Sequence, residues 1–167
     1  MITLVIPSAR TIVLADSITS TVTVSNSAVE TPLYNTAFPA NSLRVGSHLE
    51  LNLQGIFSSI ASNNGLATFR FYINSTLLGT IISVPGNRHL VPCQLLAQMT
   101  CRSTGVTGSV MTFLAWEEGT DRNMASGGLL SLDTTIDHTG SVTVQYATAS
   151  VDNVISIEQG SLLVSSF

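Results

Sequence analysis

The sequence predicts an all-β protein, an antiparallel β-sandwich. Apolar and polar residues alternate with period two in run after run, and short turn-forming groups separate the runs. No window of about a dozen residues carries the apolar stripe of an amphipathic helix.

In residues 48–57, Leu49, Leu51, Leu53 and Phe57 fall on one face, and His48, Glu50, Asn52 and Gln54 on the other. In residues 68–74, Phe69, Phe71 and Ile73 oppose Thr68, Arg70, Tyr72 and Asn74. Near the end Val142, Val144 and Tyr146 oppose Ser141, Thr143 and Gln145, and Ile155 and Ile157 flank Ser156. Each run reads as a strand with one buried face and one wet face. Residues 90–102 and 107–116 are apolar on both faces and read as a hairpin bent at Ser103-Thr104-Gly105-Val106. Such a pair suits the centre of a sheet buried on both sides, or a subunit interface. Turn chemistry occurs at Asn63-Asn64-Gly65, Pro85-Gly86-Asn87, Ser126-Gly127-Gly128 and His138-Thr139-Gly140.

Residues 1–29 form a first unit, β-branched and apolar, ahead of the turn-punctuated pattern of residues 30–167. Two readings stay open for it: an arm that docks on the body or on a neighbouring molecule, or the first strands of the same sheet.

Composition narrows the function. Of 167 residues 44% are apolar and 10% charged, so the chain folds rather than staying disordered. Lysine is absent, and Arg10, Arg44, Arg70, Arg88, Arg102 and Arg122 are scattered over a chain of net charge −4, which disfavours nucleic acid as a partner. A surface so poor in charge protects weakly against association and suggests burial against partners. No apolar run reaches the roughly 18 residues of a membrane span, and the first residues lack a secretory pattern, so synthesis in the cytoplasm is expected. Cys93 and Cys101 lie eight positions apart on one strand face, about 26 Å, too far for a disulfide, so two free buried thiols are expected.

No grouping supports catalysis. His48 sits on a polar strand face and His89 beside a turn, and no nucleophile elbow, phosphate loop, dinucleotide fingerprint or zinc spacing occurs. Asp133, Asp137 and His138 are the densest set of potential metal ligands, but a strand holds the two carboxylates about 13 Å apart, and Asx-turns account for both. Glu117, Glu118 and Asp121 read as a solvated loop tip, with a calcium site as the sharper alternative. Asn74-Ser75-Thr76 fits a glycosylation acceptor but reads more simply as a turn between strands. The expectation is a non-enzyme with no catalytic residue, no metal and no cofactor.

One order of phrases is familiar. Residues 30–43, ETPLYNTAFPANSL, lead through Gly46 into a strand ending in Gly55-Ile56-Phe57. The 68–73 strand, the 90–116 hairpin with Arg102-Ser103-Thr104-Gly105 at its bend, Asp133-Thr134-Thr135, the 142–146 strand and Asn153-Val154-Ile155 follow. Over residues 30–167 this resembles the jelly-roll domain of tailed-phage virion proteins: head decoration and spike proteins, and tail-fibre tips. The resemblance implies an eight-stranded antiparallel sandwich that assembles as a homotrimer on the virion exterior.

Two functions follow as expectations. Fibre proteins carry long shafts, whereas here at most 29 residues precede the domain; taken as a complete chain beginning at Met1, it reads as a capsid decoration (cement or head-spike) protein. Its partner would be the major capsid protein, gripped by Ile2, Leu4, Val5 and Ile6 through strand addition or pocket filling; alternatively these four belong to the chain's own core. The other function is a receptor- or glycan-binding tip, for which Trp116 is the one aromatic candidate, unless it is a core anchor at a strand end. An enzyme acting on polysaccharide would need paired carboxylates across a cleft, which no motif signals.

Overall fold

A computed structural model of the chain describes residues 11–60 and 65–166. It contains eleven strands: β1 (Thr11–Ile18), β2 (Val22–Ser25), β3 (Thr31–Phe38), β4 (His48–Ser59), β5 (Ala67–Ile73), β6 (Thr76–Ile82), β7 (Arg88–Ser103), β8 (Ser109–Glu118), β9 (Asp121–Ser131), β10 (His138–Tyr146) and β11 (Val154–Ser166). They form two antiparallel sheets. The larger runs β1-β11-β4-β7-β8-β9 with β2 also on β11, and the smaller runs β3-β10-β5-β6.

The chain is therefore an all-β antiparallel sandwich, with eleven strands among the described residues where about eight were expected. Strands β1 and β2 both pair with β11 of the same chain. From β3 onward the chain crosses repeatedly between the sheets, with the pair β5-β6 kept in the small sheet and β7-β8-β9 in the large one, and β11 returns from the small sheet to lie between β1 and β4 in the manner of a Greek key.

The alternation read in the sequence sets which side chains meet. Leu49, Leu51, Leu53 and Phe57 of β4 face Phe69, Phe71, Val142, Val144 and Tyr146 of the small sheet inside one continuous core. At one end of it Trp116, fully buried, stacks on Phe69 with ring centroids 4.1 Å apart and meets the Phe57 ring edge-on at 5.3 Å. Such aromatic pairs add about 0.5–1.5 kcal/mol each beyond area burial. Cys93 and Cys101 are both free and buried in β7.

The two sheets are tied along both sides. At one side the Tyr34 hydroxyl on β3 donates to Asp16 on β1 at 2.7 Å. At the other, Thr112 on β8 donates to the Leu78 carbonyl on β6 at 2.8 Å, and Asn123 on β9 donates to the Ile82 carbonyl at 2.6 Å.

Two turn groups read from sequence lie inside strands. Ser126-Gly127-Gly128 is a bulge within β9, where pairing with β8 slips between Thr112 and Phe113. A side chain at Gly127 would stand 1.9 Å from the Leu78 carbonyl oxygen, so this glycine lets β9 close on β6. His138-Thr139-Gly140 opens β10 and pairs with β3.

Candidate assembly surface

The residues singled out for chemistry are mostly held by structural bonds. Glu117, Glu118 and Asp121 belong to the β8–β9 hairpin, not to a solvated loop tip. Side chains on β8 alternate, so Glu117 faces out and pairs with Arg122 at 2.9 Å, while Glu118 turns inward with a fully buried side chain. The Trp116 indole N–H donates to one Glu118 oxygen at 2.6 Å, and Arg88 Nε donates to the other at 3.2 Å. Arg88 also pairs with Asp121. A buried carboxylate persists only when matched in this way. Trp116 is thus a core anchor, with no ring face open to a sugar.

The Asp133, Asp137 and His138 group is likewise occupied. Asp133 accepts from the Thr135 backbone N–H at 2.9 Å, an Asx-turn, and Asp137 accepts from the Ala40 N–H at 2.8 Å. Hydrogen bonds to Thr135 hold the Asp133 carboxyl below the usual carboxylate range. His138, buried, donates from Nε2 to the Asp133 carbonyl and accepts at Nδ1 from the Asn74 amide at 3.0 Å. Asn74 itself takes the left-handed conformation, φ 53°, in the two-residue turn joining β5 to β6, and accepts from the Thr139 N–H at 2.9 Å. Among the described residues no three His, Cys, Asp or Glu side chains converge as metal ligands would. His48 bonds Thr100 across β4 and β7 at 2.9 Å, and His89 is exposed.

What remains open is the outer face of the large sheet. On β7 and β8 the inward side chains are buried, whereas Leu96, Met111 and Phe113 on the outward side stay partly exposed. The two-sided apolar character read in the sequence is therefore one core face plus one surface face. Ala115 pairs with Leu96 and Met124, and Met111 with Leu129, so the apolar side chains form one patch across β7, β8 and β9. Met124 is 62% exposed and Leu129 63%. Toward β4 and β11 the same face turns polar: Gln98 donates to Glu50 at 2.8 Å, Gln94 to Asn52 at 2.9 Å, and Gln159 to Gln54 at 2.6 Å. Gln54, Gln94, Glu117, Glu158 and Gln159 line a recess of about 360 Å³ there.

The sequence signalled this face only as apolar residues on the wrong parity of a paired strand. Met124 and Leu129 carried no signal, because the double glycine between them masked β9. Ile2, Leu4, Val5 and Ile6 lie outside the described residues.

No protein-family model matches the sequence, and no curated protein matches it. Several solved structures overlap it in part, among them the following. The VP2 subviral particle of infectious bursal disease virus does so with TM-score 0.34 and 13% identity, over 94% of this chain and 32% of that one. The Gt strain of that virus gives TM-score 0.30 and 15% identity, over 94% and 32%. The CBM2 module of the evolved Dit of Lactobacillus casei BL23 phage J-1 gives TM-score 0.34 and 8% identity, over 80% and 69%. The chain spans about a third of the length of the bursal disease virus chains, and overlaps this low carry no argument about function.

Proposed function

We propose that the chain is a virion structural protein, a homotrimeric decoration subunit of the cement or head-spike kind that binds the outside of a phage capsid. The observation that carries this reading is the state of the surface. Large apolar side chains, among them Val45, Val106, Met124, Leu129 and Val151, stand mostly exposed on a molecule without a single lysine. Solitary soluble domains hold neighbours off with mixed surface charge; a subunit that spends its life among neighbours does not need to. The polar groups suited to chemistry, by contrast, are engaged in turns and in the Glu118 ion pair.

In this reading Ile2, Leu4, Val5 and Ile6 grip the major capsid protein. Deleting residues 1–9 leaves a folded trimer that no longer cosediments with capsids; undiminished binding refutes the arm's role. Imaging of virions decorated with an antibody to the protein tests the location, and label confined to the tail overturns it.

The amide-lined recess favours a second reading, a glycan-binding tip, since paired amides suit neutral hydroxyl groups. Binding on a glycan array that Gln94→Ala abolishes, with folding intact, selects this reading over the first.

A further inference from the structure

We infer that a polar trough on the outer face of β11, β4, β7 and β8 takes a linear oligosaccharide of neutral or amino sugars and is closed to acidic ones. The inference rests on the glycan-binding reading and gives that reading its ligand class. A bulge builds the trough. In β11 Ile155 and Ile157 face the core, and on strict alternation Gln159 would follow them inward. Pairing with β4 slips between Ile157 and Gln159, so Glu158 and Gln159 both stand exposed and the core parity resumes at Leu162. Bulges recur next to active sites, where they re-aim a side chain in this way.

Register then lines these side chains up across the sheet. Gln159 pairs with Gln54, Gln54 with Gln94 and Gln94 with Glu117, a row that crosses four strands. Three spacings of about 4.8 Å make it roughly 14 Å long, room for about three linked pyranose rings. The recess of about 360 Å³ over this row shares Gln54 and Gln159 with a second, of about 250 Å³, that continues past Asn52 and Ser161. The amides are held in place by one another: Gln159 donates to Gln54 at 2.6 Å, and Gln94 to Asn52 at 2.9 Å. Those bonds leave the Gln54 amide hydrogens as donors and the Gln94 and Gln159 side-chain carbonyls as acceptors. A sugar hydroxyl both donates and accepts, so neighbouring hydroxyls match such a mixed row, whereas an apolar peptide side chain finds only Pro92 and Cys93 to pack on.

Charge sets the class of sugar. Glu117 is paired with Arg122 at 2.9 Å, Glu158 makes no ion pair among the described residues, and no arginine or histidine lines either recess. An ionised sugar acid would meet an uncompensated carboxylate there, and a protonated amine would meet a counter-ion.

The test screens the full chain on an array of neutral, amino and acidic oligosaccharides, then titrates the best binder by calorimetry as a length series. Only neutral or amino sugars are expected to bind, with affinity rising up to about three rings. Gln159→Ala should weaken binding about tenfold, and Glu158→Gln should admit acidic sugars while leaving neutral binding within about twofold. Both positions are exposed, and unchanged melting temperatures show that both variants are folded. Three results overturn the trough and leave the glycan-binding reading standing: acidic sugars bound by the wild type as tightly as neutral ones, full affinity in Gln159→Ala, or acidic sugars still refused by Glu158→Gln. No sugar bound at millimolar concentration overturns the glycan-binding reading as well, as does capture of an oligolysine peptide in place of sugars.

Discussion

Replacing Arg88 by Met should cost about 3 kcal/mol of folding stability, because it strands the Glu118 carboxylate inside the protein. The Glu118 side chain is fully buried and has two charge-relevant donors, Trp116 and Arg88. Methionine keeps most of the volume of the arginine stem, so the loss isolates charge from packing. Removing one partner of a buried pair costs about 3–5 kcal/mol, and the lower end applies because Arg88 remains 23% exposed and some water reaches it. With an unfolding entropy of about 2.1 cal/mol/K per residue over 167 residues, that loss lowers the melting temperature by roughly 9 °C. Calorimetry measures it. Glu118→Gln in the same background should recover more than half of the loss, since a neutral amide still accepts the indole N–H. A drop below about 3 °C for Arg88→Met, or a double variant that loses the sum of the two single effects, refutes the coupling.

Two further outcomes follow from buried groups. Burial, reinforced by the Glu118 charge, pushes the Cys93 thiol up to about 12, and burial raises the Cys101 thiol as well. Unfolded thiols ionise near pH 8.5, about, so the stability these residues contribute is complete below that pH and is lost as the pH climbs toward 12; urea midpoints should fall above pH 8.5, less steeply for Cys93→Ala, and rapid alkylation of the native protein at pH 8 would contradict it. Gly127→Ala should destabilise by about 2 kcal/mol or more, because its methyl group would lie 1.9 Å from the Leu78 carbonyl oxygen and 2.0 Å from Thr112 Oγ1; a urea midpoint equal to wild type shows that β9 does not close on β6 in this way.

The sandwich was legible because its strands repeat one simple rule. Leu49, Leu51 and Leu53 announce the inner face of β4 without help from any other residue. Strand β9 was not legible, since Met124 and Leu129 sit on the outside and Gly127-Gly128 looks like a turn when the pressing β6 carbonyl is unseen. Glu118 failed for a related reason. An acidic pair beside a turn reads as solvated, and only the inward parity fixed by Trp116 and the distant Arg88 shows otherwise. Local pattern carries local structure; the partners that cancel a buried charge lie about thirty positions away.

The bulge in β9 bears on how copies meet in the proposed assembly. β9 ends the large sheet, and among the described residues no strand pairs with its outer edge. Sheet extension through such an edge would tend toward open fibres, because each added copy presents the same edge again. Here Gly128 adopts φ 73° and the ladder slips beside it, so a partner strand cannot run in register along all of β9. The edge is blunted while the face beside it stays apolar. A blunted edge of this kind disfavours assembly by strand-to-strand pairing. A variant that removes the bulge by deleting Gly128 should restore a flat edge and shift the assembly from discrete oligomers toward polydisperse species in light scattering; an unchanged, discrete oligomer would show that the bulge plays no part in closing it.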